Sequence, residues 1–588
     1  MKLLRLKITD PAGFRSLKAD FEIYFRNDWN IVEIGEFNPF ILVGPNGSGK
    51  SNVLEALTAI FYHLECMYQK QRPYSFEYDE VENPKGFRSE IASPNGFELE
   101  YYIPDPAKLN NSGTTKYAHI RVVKENGKPP LIYWVNRDLF KVKEDQILAS
   151  IEAKEDQFLT SNEAKDVLPD FVLGYSSGEN EILSLPFFKL RFIQFDGYKD
   201  FLNDQISGVP EGRLTFLSSE YNQAIVLANL LLQEKEILKP YKDVVGVEDI
   251  KRFRIIIKKY INLDKGQITE DPEDKINFQR SIVEEIEDEL GEIQYRLNII
   301  KNLTPSIQKL KNCSTCNYYD TETDELYFDY WVNEETKQAF AHNFDSAIEL
   351  FQVFENLLTL NLYTVNEKLK KELYQSTSLY VNETVPTLPS DERIMRFKDL
   401  WIQKSGVDEN ILSKSLSDGE HQFLHSLGLC LLYKDKNCLF LLDEPETHFN
   451  PAWRAKFISS IRDCFRDKDS TSKSKLREML ITTHSPFLIS DSKKEYVLVF
   501  NNSTSKTVEV TRPDYNTLGA SINKITMKSF GKTETIGGYA EKHLNEIKER
   551  FEAGAGKQEI IDEVNNLLGD SVEKVLFIKR VLDSMEDE

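Results

Sequence analysis

The segment ILVGPNGSGKSN, residues 41–52, places three glycines, a lysine and two serines between two apolar patterns. The preceding run, residues 40–43, is short and continuously apolar, which is typical of a buried strand. After the segment, apolar residues recur on one helical face. They are Val53, Leu57, Ile60, Phe61 and Leu64. A strand, the pattern G-x-x-x-x-G-K-S and a helix in this order predict a phosphate-binding loop.

The glycines, the lysine and Ser51 of this loop have distinct chemical roles. Gly47 and Gly49 allow backbone N–H groups to close around the β- and γ-phosphates of a nucleotide. Lys50 adds a positive charge, and the N-terminus of the following helix adds its dipole. The hydroxyl of Ser51 is placed to ligate Mg²⁺. The segment therefore predicts binding of a nucleoside triphosphate together with Mg²⁺.

A second apolar run, in CLFLLDEPETH (residues 438–448), ends in two acids. Open α/β sheets bind ligands at the carboxyl ends of their strands, where Asp443 and Glu444 would lie. We expect Asp443 to support Mg²⁺ and Glu444 to orient or deprotonate the attacking water. A third run leads into LITTHSP, where His484 can contact the γ-phosphate and that water. A structural histidine at a strand end is the alternative for His484.

The segment SLSDGEHQFLH, residues 415–425, has the pattern of a helix start. Ser417 suits the N-cap, and Glu420, three residues later, suits a capping box. A capped helix alone would account for the pattern. The segment also resembles the signature of ABC-type ATPases, in which the serine, the Gly419 backbone and the helix N-terminus face a γ-phosphate held by another subunit. A phosphate loop combined with this signature predicts a head-to-tail dimer with two ATP molecules at its interface.

Four motifs, GPNGSGKSN, LSDGE, LLDEPE and TTHSP, occur in the order found in ABC-type ATPases of the RecF, SMC and zinc-hook DNA-repair kind, which the chain resembles. The string DEPETHFNP resembles the anti-phage defence branch, in particular the Septu ATPase PtuA and the restriction system-associated AAA family ATPases. The resemblance implies an α/β fold with an ABC-type ATPase head. It also implies ATP and Mg²⁺ as cofactors and ATP hydrolysis at a slow or regulated rate.

The resemblance carries family roles over to the residues that match its motifs. Asp418 departs from the family pattern, which often has glycine at that position. The matching residues are Asn46, Gly47, Gly49, Lys50, Ser51 and Asn52 of the phosphate loop, Ser417, Gly419 and Glu420 of the signature, Asp443 for the metal, Glu444 as the base and His484 for the γ-phosphate.

Other positions correspond to family features outside the four motifs. Asn450 and Pro451 match the segment that couples the two subunits in this family. Arg15 resembles a basic residue that reaches phosphate, and a solvated arginine in a loop between strands is the alternative. The glutamine-loop position has two candidates, Asn180 in YSSGEN and Gln194 in RFIQFDGY.

Composition limits the classes of partner. The net charge is −22, so the chain has no general basic surface for nucleic acid, although a local basic face is compatible with this value. The six cysteines lie mostly in apolar surroundings and suit a reducing compartment. MKLLRLKITDPAGFRSLK lacks the apolar core of a signal peptide, and no apolar stretch reaches the roughly 20 residues of a membrane span. We expect a cytoplasmic protein without a membrane partner.

The chain is long enough for more than one domain. We expect the two halves of the ATPase head at 1–215, which includes an antiparallel β-lobe, and at 391–500. A mainly helical lobe at 216–390 is inserted between them, and an α/β extension follows at 501–588. GFELEYYI and KYAHIRVVKENGKPPLIYWVN alternate with period two around an Asn-Gly turn, which predicts the strands of the β-lobe.

Two patterns inside the insertion bear on its architecture. Apolar residues at three- and four-residue steps predict a helix that is either a short coiled-coil seam or one face of a packed helix. They are Val283, Ile286, Leu290, Ile293, Leu297 and Ile300. Cys313 and Cys316 form a CSTC pair, which would hold Zn²⁺ only with a second pair from another protomer and is otherwise a plain reduced pair. The flanking NYYDTETDELYFDYW predicts a β-hairpin.

These expectations describe an ATPase that gates a separate effector. By resemblance to Septu, the effector would be an HNH-type, PtuB-like nuclease encoded nearby, and the process would be anti-phage defence. Two alternatives are a RecF-like ATPase that binds DNA ends in repair and a nucleotide-sensing scaffold that sequesters a toxin. The expected partners are a second copy of the chain (in a homodimer or higher even oligomer), the nuclease, and DNA or RNA.

Overall fold

The computed structural model describes most of the 588-residue chain. The residues outside the description are 27–35, 70–71, 105–116, 138–158, 160, 179, 205–211, 217, 272–276, 288–290, 376–384, 386–387, 467–474, 503–506, 532–535 and 587–588.

The strands are numbered in chain order. They are β1 (Lys2–Ile8), β2 (Glu22–Tyr24), β3 (Phe40–Val43), β4 (Phe97–Pro104), β5 (Tyr117–Lys124), β6 (Leu131–Trp134), β7 (Phe171–Ser176), β8 (Leu214–Phe216), β9 (Val247–Lys258), β10 (Tyr260–Leu263), β11 (Ile268–Thr269), β12 (Phe278–Gln279), β13 (Val283–Glu287), β14 (Ile293–Asn298), β15 (Cys316–Asp320), β16 (Glu325–Trp331), β17 (Met395–Lys404), β18 (Ile411–Leu412), β19 (Cys438–Asp443), β20 (Glu478–Thr482), β21 (Val497–Asn502) and β22 (Val508–Thr511).

The α-helices are numbered in the same way. They are α1 (Lys50–Tyr68), α2 (Ser161–Asp166), α3 (Glu181–Asp204), α4 (Asn222–Leu232), α5 (Thr304–Cys313), α6 (Glu334–Asn343), α7 (Ala347–Thr359), α8 (Glu367–Gln375), α9 (Asp418–Leu432), α10 (Pro451–Cys464), α11 (Pro486–Ser490), α12 (Ile522–Ser529), α13 (Gly538–Glu552), α14 (Lys557–Leu567) and α15 (Val572–Glu586).

The central sheet has the strand order β22-β21-β3-β20-β19-β7-β8. All neighbours run parallel except the β21–β22 pair. Strands β3, β19 and β20 are buried at every residue, because helices cover both faces of the sheet. Phe40 and Leu42 belong to the core that α1 shares, whereas Ile41 and Val43 belong to the core that α9 and α10 share. The predicted α/β class, with the phosphate loop on a parallel sheet, is confirmed.

The predicted antiparallel lobe is also present. Its strand order is β2-β1-β4-β5-β6, and every pair is antiparallel. Gly127, in the turn between β5 and β6, has φ of +72°, a conformation that glycine adopts without a steric penalty. The inner face of this sheet packs into the same core as α1, so the lobe braces the helix that follows the phosphate loop.

The insertion combines helices α4–α8 with strands. Its main sheet has the order β15-β16-β9-β17-β18, so β17 of the head's second half pairs with β9 of the insertion. A smaller sheet has the order β10-β14-β13. The hairpin predicted from NYYDTETDELYFDYW is confirmed as β15 and β16.

The helix predicted across residues 283–300 is wrong. Val283 pairs with Leu297 and Ile286 pairs with Gln294 in the antiparallel β13–β14 hairpin. Gly291, between the two strands, has φ of +79°, which a helix interior does not contain. Most of the apolar residues at three- and four-residue steps therefore belong to two short strands that follow one another in sequence and pair side by side. Leu290 lies outside the described residues.

The described part of the chain after β22 is helical. Strand β22 itself belongs to the central sheet, so the expected boundary at residue 500 falls inside β21. Helices α13, α14 and α15 enclose a small apolar core of their own. Its buried residues are Leu544, Ile547, Ile560, Ile561, Val564, Phe577 and Val581.

A buried ion pair joins the antiparallel lobe to the central sheet. Glu478, on β20, is fully buried and pairs with Arg26, just after β2. Arg26 Nη2 donates to Glu478 Oε1 at 3.0 Å, and the backbone N–H of Leu3 donates to Oε2 at 2.8 Å. The guanidinium also lies over the Phe40 ring, 4.9 Å from its centroid. One carboxylate therefore fixes strands of both sheets.

We predict that Glu478→Ala lowers the free energy of unfolding by about 3–5 kcal/mol, because Arg26 would be left as an unpaired buried charge. Urea denaturation measures this change. Glu22→Ala is the matched control, since its carboxylate pairs with Arg5 in a partly solvated site and should contribute about 1 kcal/mol or less. Equal losses in the two variants would contradict the assignment.

Candidate functional site

The phosphate loop connects β3 to α1. Gly47 and Gly49 have φ of +73° and +94°, which residues with a Cβ rarely adopt. A Cβ on Gly49 would also lie 2.8 Å from Ser16 Oγ and 3.1 Å from a methyl of Val508, so the loop is tightly flanked. Asn46 is exposed at the tip of the loop. The local geometry is that of a backbone cradle for an anion.

Lys50 lies folded over this loop. Its Nζ donates to the carbonyl of Gly44 at 2.9 Å and to that of Pro45 at 3.0 Å, and the residue is 5% exposed. Burial lowers the pKa of this ammonium, and the charges of Glu444 and Asp443 oppose the shift. Phosphate oxygens would offer the ammonium a stronger, charged acceptor than the two carbonyls.

The carboxylate of Asp443, at the end of β19, collects hydrogen bonds from three elements. Ser51 Oγ donates to Oδ1 at 2.8 Å, and Thr482 Oγ1, at the end of β20, donates to the same oxygen at 2.6 Å. Asn180 Nδ2 donates to Oδ2 at 2.8 Å. Ser51 and Asp443 thus bring two hard oxygen donors together beside the loop, which fits Mg²⁺.

This geometry distinguishes the two candidates for the glutamine-loop position. Asn180 contacts the carboxylate of Asp443, and its Oδ1 also accepts the backbone N–H of Leu183 at 3.1 Å in the first turn of α3. Gln194 lies midway along α3 with its amide against Gly212. The structure therefore places Asn180 at the site and Gln194 away from it.

Glu444 lies one residue beyond Asp443 in a strained backbone conformation. Its φ is +48°, uncommon for a residue with a side chain. The Glu444 N–H donates to the carbonyl of Thr482 at 3.2 Å and to its Oγ1 at 3.0 Å. These two bonds stabilise the turn that aims Glu444 along the sheet edge. Backbone strain of this kind is found at active sites, where the surroundings hold it.

The Nε2 atom of His484 lies 3.4 Å from Oε1 of the Glu444 carboxylate. Burial, with a smaller effect from Asp443, raises the pKa of Glu444, which suits a proton acceptor. Burial and the charge of Lys50 lower the pKa of His484. Both effects favour the neutral ring, which can donate from one nitrogen while accepting at the other. The acidic pair, His484 and Lys50 come together as the sequence predicted.

Asn52 and Arg15 occupy positions beside the loop. Asn52 Oδ1 accepts the hydroxyl of Ser16 at 2.6 Å, and its Nδ2 donates to Glu55 Oε2 at 2.8 Å. Asn52 thus connects the turn containing Arg15 to α1. Arg15 has φ of +56° and is exposed. The phosphate role of each residue stays a prediction.

The signature segment forms the predicted capped helix start. Ser417 caps α9: its Oγ accepts the N–H of Glu420, and Glu420 Oε2 accepts the N–H of Ser417 at 2.7 Å. Ser417 is exposed, whereas Glu420 pairs with Lys404. A Cβ on Gly419 would lie 2.7 Å from the carbonyl of His448, so only glycine lets α9 approach this closely. The start of α9 is thereby fixed to the segment that follows Glu444.

The residues expected to couple two subunits begin α10. Asn450 caps this helix, because its side chain accepts the backbone N–H of Trp453 at 2.9 Å. Pro451 occupies the first helical position, where its missing N–H has no cost.

Cys313 is buried at the end of α5, and Cys316 is exposed at the start of β15. Among the described residues, no three His, Cys, Asp or Glu side chains are grouped to hold a metal.

Sequence reasoning missed Glu446 and the two threonines before His484. Thr482 binds Asp443, and Thr483 Oγ1 donates to Glu446 Oε1. Glu446 is buried, and its Oε2 makes no hydrogen bond among the described residues. Burial raises its pKa to about 7. DEPETH and TTHSP contained these residues, but their pairing depends on adjacent strands that the sequence does not reveal.

The phosphate cradle, buried lysine, oxygen pair and strained glutamate define a P-loop ATPase. Residues 1–489 match the profile of the AAA_15 family, described as an AAA ATPase domain, and the chain belongs to this family. No curated protein matches the chain. Among the described residues, no helix combines the length and apolarity needed to cross a bilayer.

The solved structures that are similar to the chain include two SMC heads. One is the SMC head bound to the C-winged helix domain of ScpA, with a TM-score of 0.32 and 11% identity over 87% of this chain and 98% of that one. The other is the SMC head domain from Thermotoga maritima, with a TM-score of 0.30 and 10% identity over 88% of this chain and 100% of that one.

We predict that Glu444→Gln lowers ATP turnover by about 100-fold or more, because the amide cannot accept a proton from the attacking water. ATP affinity should persist, since Lys50, Ser51 and Asp443 are unchanged. Phosphate release and binding of a fluorescent ATP analogue measure the two effects. Glu495→Gln, at an exposed glutamate, is the control. Native turnover in Glu444→Gln would refute the base assignment.

Glu446→Gln should change how stability depends on pH. The folded chain holds a proton on Glu446 up to about pH 7, whereas the unfolded chain releases it near 4.5. Stability from this group is therefore greatest below pH 4.5 and is lost as pH rises towards 7. As pH rises through this window, the free energy of unfolding of Glu446→Gln should therefore increase relative to that of the native chain, by on the order of 1–3 kcal/mol. Urea denaturation at several pH values measures the difference, and a parallel pH dependence of both chains would contradict it.

Proposed function

We propose that the protein is an ABC-type ATPase whose subunits close head to tail around two ATP molecules. The observation that carries this proposal is the exposed, capped start of α9. Ser417 is exposed, with its hydroxyl held in the capping box with Glu420, and the first N–H groups of a helix favour an anion. The contact of Gly419 with the carbonyl of His448 fixes this helix start relative to Glu444. An exposed helix start that is fixed to the segment following Glu444 suits a phosphate held by a second subunit.

Each residue of the site has a defined part in hydrolysis. Bound Mg²⁺ would neutralise phosphate charge. Lys50 would exchange its two loop carbonyls for phosphate oxygens, and Ser51 with Asp443 would hold the metal. Glu444 would accept the proton of the attacking water, and neutral His484 would orient that water or the γ-phosphate. Asn180 connects the start of α3 to this chemistry through Asp443.

We further propose that closure of the heads controls a separate effector in the cytoplasm. The insertion supports this role, because β9 pairs with β17, which leads through β18 to the signature helix α9. If α9 moves when it contacts the nucleotide of a partner subunit, the inserted sheet would therefore move with it. The resemblance of DEPETHFNP to the defence ATPases supports an HNH-type nuclease as the effector, with phage DNA or RNA as its target.

The composite site has a decisive test with two inactive variants. Lys50→Ala removes the phosphate charge, and Ser417→Arg blocks the contact across the interface. In a mixed dimer, one site combines both defects and the other combines a native phosphate loop with a native signature. We predict that an equal mixture recovers about a quarter of native turnover, since half of the dimers are mixed and each has one intact site.

Two controls make this result specific. The double variant carrying both substitutions, mixed with Lys50→Ala, contains no intact site and should stay inactive. Ser415→Arg changes a neighbouring exposed serine and should keep native turnover. Full activity of Ser417→Arg alone, or no recovery in the first mixture while both variants are folded by circular dichroism, would overturn the head-to-tail arrangement.

A further inference from the structure

A cavity of about 450 Å³ lies between α1, the first turns of α3 and the segment 76–93. Much of its wall is apolar or aromatic, including Ala59, Phe76, Phe87 and Leu185. Phe76 stacks on Phe87 with ring centroids 5.1 Å apart, so part of the wall is aromatic. The volume is in the range of small-molecule sites, which are mostly apolar with a few polar groups that fix orientation.

The charged residues of the cavity are mainly cationic. Arg15, Lys85, Arg88 and Lys189 line it, whereas Glu55 is the one carboxylate among its described lining residues. This surplus runs against the net charge of −22 for the whole chain. His63 also lines the wall; its Nε2 is 3.0 Å from the carbonyl of Ser89, and burial lowers its pKa to about 4, so the ring is neutral. The local electrostatics favour an anion.

Arg88 provides a specific polar group for such an anion. Its Nε is buried and makes no hydrogen bond among the described residues. A buried donor without a partner has a free-energy cost that an acceptor on a ligand would remove. Its guanidinium also lies over the Tyr78 ring, 4.7 Å from the centroid, a contact that favours this position. A planar guanidinium of this kind can bind a carboxylate, sulfonate or phosphate through two donors.

The two helices that form the walls both begin at the nucleotide site. Helix α1 starts at Lys50, and the start of α3 is held by Asn180. Glu55, at the cavity, accepts from Asn52 Nδ2 at 2.8 Å and from Asn180 Nδ2 at 3.4 Å. The same Asn180 amide donates to Asp443. One carboxylate and one amide therefore connect the cavity to the metal side of the ATP site.

We propose that this cavity binds a small organic anion with a flat apolar body, and that its occupancy is coupled to ATP binding through Glu55 and Asn180. The ligand body would pack against Phe76 and Phe87, and its anionic group would bind Arg88. A ligand that changes the separation of α1 and α3 would move Asn180 and with it the carboxylate of Asp443. The site is distinct from the phosphate loop, so its existence does not depend on the proposed dimer mechanism.

Anilinonaphthalene sulfonate, an aromatic anion, is a suitable probe for the full chain. We expect a saturable fluorescence increase with one probe molecule per chain bound at this site. Ala59→Trp fills the cavity from α1 and should weaken that binding by at least about tenfold, and Arg88→Gln should weaken it by about fivefold. Ala341→Trp, at an exposed alanine of α6, is the matched control and should bind the probe as the native chain does.

The outcomes test the binding site and its coupling to ATP binding separately. Native probe affinity in both Arg88→Gln and a folded Ala59→Trp would overturn the site; if Ala59→Trp does not fold, Arg88→Gln decides. At saturating probe, the ATP dissociation constant should change by about threefold or more, and Asn180→Ala should abolish this change while probe binding persists. An ATP affinity indifferent to bound probe would overturn the coupling. Failure of the mixed-dimer experiment would leave both results standing.

Discussion

The carboxylate of Asp443 is the point at which distant parts of the chain meet. It accepts hydrogen bonds from Ser51 and Asn180, which are 392 and 263 residues away in sequence, and from Thr482 on the neighbouring strand. A carboxylate that accepts three bonds holds its donors in fixed positions, because each donor would otherwise lose a charge-assisted partner. The relative placement of the phosphate loop, the start of α3 and the edge of the sheet depends on this one group.

The strand order explains why that placement suits hydrolysis. Strand β20 lies between β3 and β19, and the register pairs Asp443 with Thr482. Thr482 can therefore bind Asp443 through its hydroxyl while its carbonyl and hydroxyl accept the N–H of Glu444. The strained turn at Glu444 is held by these bonds, and the carboxylate stays half-exposed within reach of His484. The same turn buries Glu446 beneath the edge, which explains its raised pKa.

Several features could be predicted because they depend on short stretches of sequence. The phosphate loop, the two buried strands and the capping box of Ser417 and Glu420 are set by residues within a few positions of one another. The helix across 283–300 could not be corrected from the sequence, because two strands of five and six residues gave a spacing that also fits a helix. Asn180 and Gln194 were equivalent candidates, since only the folded chain decides which amide reaches Asp443.

The sequence by itself determined that this chain folds around a phosphate loop with an acidic strand end and a capped signature helix. Those elements form through local backbone conformation, helix capping and continuous apolar runs, all of which can be read over about ten residues. Only the tertiary structure decided that β9 joins β17, that Glu446 is buried against Thr483, and that a cationic cavity opens between α1 and α3. These features arise from strand pairing and side-chain packing between residues separated along the chain, by 37 positions for Glu446 and Thr483 and by 138 for Ile257 and Met395, and no local pattern encodes such distances.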